Sequence, residues 1–163
     1  MAMDQRIRIG VNLVLLVTFC EMAGVVGAFF TTSSIPTWYA GIRKPEIAPP
    51  NWVFAPVWTT LYALMGVSLF LVGSKTFGKG SGRSAIAVFV TQLMLNVLWS
   101  YLFFGLQSPF LGAVEITILW FAIAVTVVLF SRISRTAGLI LLPYLGWVTL
   151  AGYLNYMIFI LNT

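Results

Sequence analysis

Trp58, Trp99 and Trp147, together with Gln92, Asn96 and Ser100, are the side chains whose types and spacing carry chemistry in this chain. The three polar residues recur at i, i+4 and i+8, a spacing that places them on one face of a helix. In apolar surroundings such a stripe needs a protein partner or a ligand. It serves either as interhelical hydrogen bonding or as a polar handle on the wall of a pocket. The tryptophans pose a parallel choice. They form an interface belt, or an apolar aromatic box suited to a flat ligand. Periodicity does not separate these roles, because lipid and ligand both meet apolar faces. Tyr144, Thr149, Tyr153, Asn155 and Tyr156 add further polar groups near the end of the chain.

Other chemistry is excluded by what is missing. The chain has no His and one Cys, Cys20. An intrachain disulfide and a cysteine metal cluster are therefore ruled out. Most zinc, haem-ligating and general-base chemistry goes with the absent imidazole. No metal and no obligatory cofactor are expected. Two carboxylates fall in apolar stretches. Glu115 is expected at the membrane interface, near the positive end of its helix. Glu21 lies deeper, as a hydrogen-bonded structural residue or a working one. Nothing in the sequence pairs them as acid and base.

The elements that must position these residues are membrane spans. The chain is 60% hydrophobic and 8% charged, with a mean hydropathy of +0.99, whereas a soluble domain carries about 25% charged residues. No charge falls within 47–74, 84–114 or 136–163, and Glu21 and Glu115 are the only ones within 9–30 and 110–131. About 20 helical residues cross a hydrocarbon core. The sequence therefore predicts an all-α membrane protein, a bundle of five transmembrane helices at about 9–30, 51–73, 84–104, 110–130 and 137–161. It is read as a single domain over 1–163. The runs are continuous rather than alternating, which argues against a membrane β-barrel. The first run is too long for a cleavable signal peptide, and no clean cleavage site follows it.

Arg6, Arg8, Lys75, Lys79, Arg83, Arg132 and Arg135 fall on one side of this topology, and Arg43 and Lys44 on the other. Basic residues in short loops favour the cytoplasm. The expectation is a multi-pass protein of the plasma (inner) membrane with a cytoplasmic N-terminus. Topology accounts for the net charge of +5, so no nucleic-acid partner is expected. The segment "GSKTFGKGSGRS" reads as a mobile loop. "GLQSP" and "SRISRT" read as short turns between antiparallel spans.

"WYAGIRKPEIAPPNWVFAPVW", Trp38 to Trp58, is unlike the rest. Pro45, Pro49 and Pro50 fix φ and remove backbone donors, so this connection is expected to be stiff and not helical. A stiff loop holds Trp38, Tyr39 and Trp52 over the mouth of a bundle at little ordering cost. Arg43 and Lys44 are either solvated interface charges or contacts for the carboxylates of a ligand.

"WYAGIRKPEIAPPNWVFAPVWTTLYALMG" (38–66) closely resembles the first loop and second helix of the translocator protein family, TspO/MBR, also called tryptophan-rich sensory proteins or peripheral benzodiazepine receptors. "QLMLNVLWSYLFFG" (92–105) is similar to the family's third-helix motif, and "LLPYLGWVTLAGYLNY" (141–156) to its fifth. The resemblance spans nearly the whole chain, in order. It implies a five-helix bundle, usually a homodimer, with a pocket between the helices capped by the first loop. The ligands it implies are porphyrins such as protoporphyrin IX, haem, sterols in some members, and synthetic drugs. Carried over, the pocket falls on Ala28, Phe54, Trp58, Tyr62, Asn96, Trp99, Ser100, Tyr144, Trp147, Ala151 and Leu154. Arg43 and Lys44 would meet porphyrin propionates. Trp58 and Trp147 resemble the tryptophans implicated in light-dependent porphyrin breakdown in some bacterial members, and the resemblance sets them on opposite walls. Glu21 matches no family role.

One departure bears on ligand choice. The sterol pattern of animal members ends in a basic residue after a Tyr, but Ile160 stands there and no Lys or Arg follows Tyr156. Sterol recognition by that route is doubtful, and the motif is weak even when complete. The leading expectation is intramembrane tetrapyrrole binding for sensing, sequestration, transport or light-dependent breakdown. The alternatives are a porphyrin-degrading oxidoreductase proper, or a lipid- or sterol-binding regulatory protein.

Overall fold

The computed structural model describes residues 2–76 and 82–163, with side chains from residue 5 onwards. The centre of the glycine-rich connection, with Lys79, lies outside the described residues. The described elements are α1 (Ala2–Ser34), α2 (Trp38–Gly41), α3 (Asn51–Thr76), α4 (Arg83–Ser100) continued by a π-helical turn (Tyr101–Gly105), α5 (Pro109–Ile133), α6 (Arg135–Ile140) and α7 (Leu142–Leu161). Five helical stretches are long and apolar enough to cross a membrane: Gln5–Ser34, Asn51–Thr76, Arg83–Gly105, Pro109–Ile133 and Arg135–Leu161. The chain is an all-α, multi-pass membrane protein, as its apolar runs predict.

Local chemistry sets the element ends. Pro49 and Pro50 stop any helix before α3, which starts at Asn51. Ser108 caps α5 by accepting a hydrogen bond from the Leu111 N–H at 3.3 Å, with Pro109 at the first helical position. Gln107 turns the chain there with φ 52°. Three expectations need correction. The first span runs well beyond 9–30 at both ends. The fifth is not continuous, because Pro143 lacks the N–H that would bond to Leu139, and the chain breaks at Leu141 between α6 and α7. The first connection is not wholly non-helical, since Trp38–Gly41 forms a helical turn upstream of its prolines.

In the bundle α5 is central and touches α3, α4, α6 and α7, whereas α1 packs mainly on α3, α4 and the π turn. Much of α1 faces outward, with Val14, Leu15, Val25 and Phe29 exposed. Its approach to α3 is close. A Cβ on Gly66 would lie 2.5 Å from Val17 Cα, and one on Gly24 would lie 2.6 Å from the Tyr62 ring. The core has an aromatic stack near each end. Phe89 lies on Phe130 at 5.4 Å, and Trp99 lies on Phe103 at 5.2 Å.

Candidate ligand-binding site

The stripe of α4 faces inward, with Gln92, Asn96 and Ser100 all buried. It starts a directed hydrogen-bond chain across three helices. Tyr62 on α3 donates its hydroxyl to Asn96 Oδ1 at 2.5 Å. Asn96 Nδ2 donates to the Tyr144 hydroxyl on α7 at 2.9 Å. Tyr144 donates to Gln92 Oε1 at 2.9 Å, and Gln92 Nε2 points at Met65 Sδ at 3.8 Å. The stripe thus joins helices through Gln92 and Asn96, and Asn96 and Ser100 also line a cavity.

That cavity, of about 190 Å³, lies between the second half of α1, the first half of α3 and the second half of α4. Its walls are aromatic: Tyr39, Phe54, Trp58, Tyr62, Trp99 and Phe104. Its polar groups come from Thr31, Thr32, Asn51, Asn96 and Ser100, and no charged residue lines it. The threonine hydroxyls are occupied, donating to the carbonyls of Gly27 and Ala28. A smaller cavity of about 20 Å³ lies beyond, towards α7, lined partly by Ala151, Leu154 and Asn155. Tyr39, Phe54, Trp99 and Phe104 border both spaces and form the septum between them.

The residues singled out in the sequence are therefore distributed as follows. Ala28, Tyr39, Phe54, Trp58, Tyr62, Asn96, Trp99 and Ser100 line the main cavity. Ala151 and Leu154 line the smaller one. Three others line neither. Tyr144 sits behind Asn96 in the polar chain. Trp147 packs edge-on behind Phe54, with ring centres 5.8 Å apart. Trp38 packs on Phe103 and Phe104. Of these two cavities, Trp58 lines the main one and Trp147 neither; Trp147 packs on Phe54 instead. Trp52 is exposed. Trp120, half-buried, donates its indole N–H to Thr149 at 2.8 Å.

The connection that closes the cavity is held from within. Tyr39 is buried against Phe103 and Phe104, and burial raises its phenol above the usual value, so the ring packs as a neutral group. The Lys44 ammonium lies 4.6 Å from the centre of that ring and donates to the carbonyls of Tyr39 and Ile42, at 2.5 and 3.1 Å. It is therefore committed to its own backbone. Arg43 is exposed.

Several lining residues escaped the sequence reading. Gly24, Gly27, Thr31 and Thr32 on α1 line the cavity, and their common i, i+3/i+4, i+7 face is a signal that could have found them. The sequence marks Asn155 only as a polar residue. It accepts from the Trp99 indole at 3.0 Å and donates to the Pro109 carbonyl at 2.7 Å, fixing the septum tryptophan. Glu115 is buried within the bundle, with neither carboxyl oxygen hydrogen-bonded among the described residues. No group of His, Cys, Asp and Glu able to hold a metal occurs among the described residues.

The sequence model of the TspO/MBR family matches residues 16–161. The chain is 49% identical over 139 residues to the tryptophan-rich protein TspO of Archaeoglobus fulgidus, covering 85% of this chain and 89% of that one. It is 34% identical over 147 residues to the tryptophan-rich sensory protein of Cereibacter sphaeroides, covering 88% and 90%. It is 36% identical over 135 residues to the translocator protein of Homo sapiens, covering 82% and 79%.

Proposed function

The chain belongs to the TspO/MBR family, and from that premise we propose that it binds a flat tetrapyrrole, protoporphyrin IX or haem, within the membrane. The observation that carries this reading is the aromatic cavity with a polar floor, bounded by Trp58, Trp99, Phe54 and Asn96. Aromatic walls favour a flat apolar ligand, and a few polar groups fix its orientation. At about 190 Å³ the space is smaller than a typical site of roughly 300–1,000 Å³. A macrocycle therefore enters edge-first, and full seating requires the septum of Phe54 and Trp99 to yield. With no charged residue among those lining the cavity, propionates stay outside it, and Arg43, exposed on the connection that carries Tyr39 into the wall, is the basic group we assign to meet them. Lys44 joins them only by releasing the carbonyls of Tyr39 and Ile42.

Sensing, sequestration, transport and light-dependent breakdown all start from this binding step. Breakdown is supported by the easily oxidised indole of Trp58 on the cavity wall. The names of the relatives, a sensory protein and a translocator protein, support the first and third. The family resemblance also supports a homodimer, tested by the mass of the purified particle in detergent. The deciding experiment titrates the purified protein with protoporphyrin IX in dark and light, following tryptophan fluorescence and pigment absorbance. Saturable quenching is expected. No quenching at any concentration overturns the reading, and repeated turnover to a defined product in light makes the protein an enzyme proper.

A further inference from the structure

Residues 36–50 cross the end of the bundle from α1 to α3 and carry Tyr39 into the wall of the cavity. The first part of this strap is anchored by burial of the Trp38 and Tyr39 rings on Phe103 and Phe104. The second part, Ile42 to Lys44, buries no aromatic ring: Ile42 is half-buried against the core, and Lys44 lies over the Tyr39 ring. Its hydrogen bonds are local, apart from one pairing. The Arg43 N–H donates to Asn162 Oδ1 at 3.0 Å, and Asn162 Nδ2 donates back to the Arg43 carbonyl at 2.9 Å. Among the described residues, this is the only hydrogen-bonded link between residues 36–50 and a residue beyond α3.

The geometry suits a latch. A primary amide matches both faces of a peptide group, so one side chain meets donor and acceptor together. The amide is also pre-aimed. Asn162 Nδ2 donates to Ile158 O at 2.7 Å and its backbone N–H to Phe159 O at 3.3 Å, which fixes the side chain at the end of α7. The two partners lie 119 positions apart in the sequence, so the link ties the strap to the far end of the fold. It is also exposed, and can open at modest cost because water replaces both bonds.

We infer that Asn162 is the latch of the strap: its side-chain amide holds Ile42–Lys44 on the end of α7 and retains whatever occupies the cavity beneath Tyr39. The residue positions the strap and does not touch the ligand. The gating consequence rests on the cavity being the ligand site, whereas the latch itself does not.

The test uses the full chain in lipid nanodiscs with Asn162→Leu and Asn162→Asp. Leu removes both bonds. Asp keeps the acceptor for the Arg43 N–H and loses the donor to its carbonyl. Residue-resolved hydrogen exchange should rise about tenfold at the Arg43 amide in N162L, rise less in N162D, and stay unchanged within α3, α4 and α5. Protoporphyrin IX dissociation, followed by tryptophan fluorescence, should quicken in the same order, with a smaller change in association. Unchanged exchange at Arg43 in N162L overturns the latch whatever the pigment does. Raised exchange with unchanged dissociation also overturns it, because the strap then does not retain the ligand. If the parent protein binds no protoporphyrin, the pigment reading fails and the exchange result alone decides the latch.

Discussion

Asn96 is held from both sides, accepting from Tyr62 and donating to Tyr144, and it still faces the cavity. Asn96→Leu orphans the Tyr62 hydroxyl and leaves Tyr144 only its bond to Gln92. A lost buried partner costs about 1–3 kcal/mol, so thermal unfolding in detergent should fall accordingly and protoporphyrin binding should weaken. Ser84→Ala, at the exposed start of α4, should change neither. Glu115 gives the opposite expectation. Its carboxyl oxygens are buried without partners, and an apolar side chain of similar size removes an unmet polar group without creating another. Glu115→Leu should therefore leave the melting temperature unchanged or raise it. A marked fall would show that the carboxyl has a partner. The tryptophans separate by position. Trp58→Phe keeps apolar surface and should hold protoporphyrin within about tenfold of the parent, yet lose most light-dependent breakdown. Trp147→Phe should show less of that loss, because Trp147 stands behind Phe54, and Trp120→Phe none. Loss in Trp120→Phe alone would place the photochemistry outside the cavity.

Between helices the decisive contacts are made by glycine. The backbone of α1 runs against Gly66, where an added Cβ would meet Val17 Cα at 2.5 Å, and backbone cannot step aside as a flexible side chain can. Gly66→Ala must push α1 off α3, an overpacking cost of about 1–3 kcal/mol, and should widen the cavity these two helices enclose. Gly73→Ala is the control, since nothing lies within 4 Å of its added Cβ. Unfolding in detergent should show a clear loss for the first and little change for the second. Equal melting temperatures would mean that α1 is free to shift. The sequence did not disclose this contact, because a glycine in an apolar helix looks the same whether it faces lipid or a neighbour. The inward face of α4 was legible for the opposite reason: Gln92, Asn96 and Ser100 cannot all face lipid. Burial could be read from them, but the partners could not, since Tyr62 and Tyr144 lie 34 and 48 residues from Asn96. The break at Leu141 follows from Pro143, but the hydropathy continues across it and so gives no sign of it.

The charge-free intervals made the number of long helices readable, since nothing else in the chain can match a hydrocarbon core. They said nothing about which tryptophan faces inward, because Trp58 and Trp147 occupy equally apolar runs and differ only in what stands in front of them. Orientation is a property of the whole molecule, and the sequence does bear on it. Arg6, Arg8, Lys75, Arg83, Arg132 and Arg135 lie at helix ends that successive crossings bring to one side, and Arg43 and Lys44 at the opposite side. Lys44 turns its ammonium onto its own strap, which weakens it further as a competing topological charge. The basic bias should therefore place the α3–α4 connection in the cytoplasm and the strap outside. In a Cys20→Ser background, an impermeant maleimide on sealed right-side-out vesicles should label Glu46→Cys and spare Lys75→Cys. Inverted vesicles should reverse the pattern. Labelling of Lys75→Cys from the outside would overturn the orientation. It would also set the strap, and the latch at Asn162, on the cytoplasmic face, so that the cavity would exchange its ligand with the cell interior rather than with the outside.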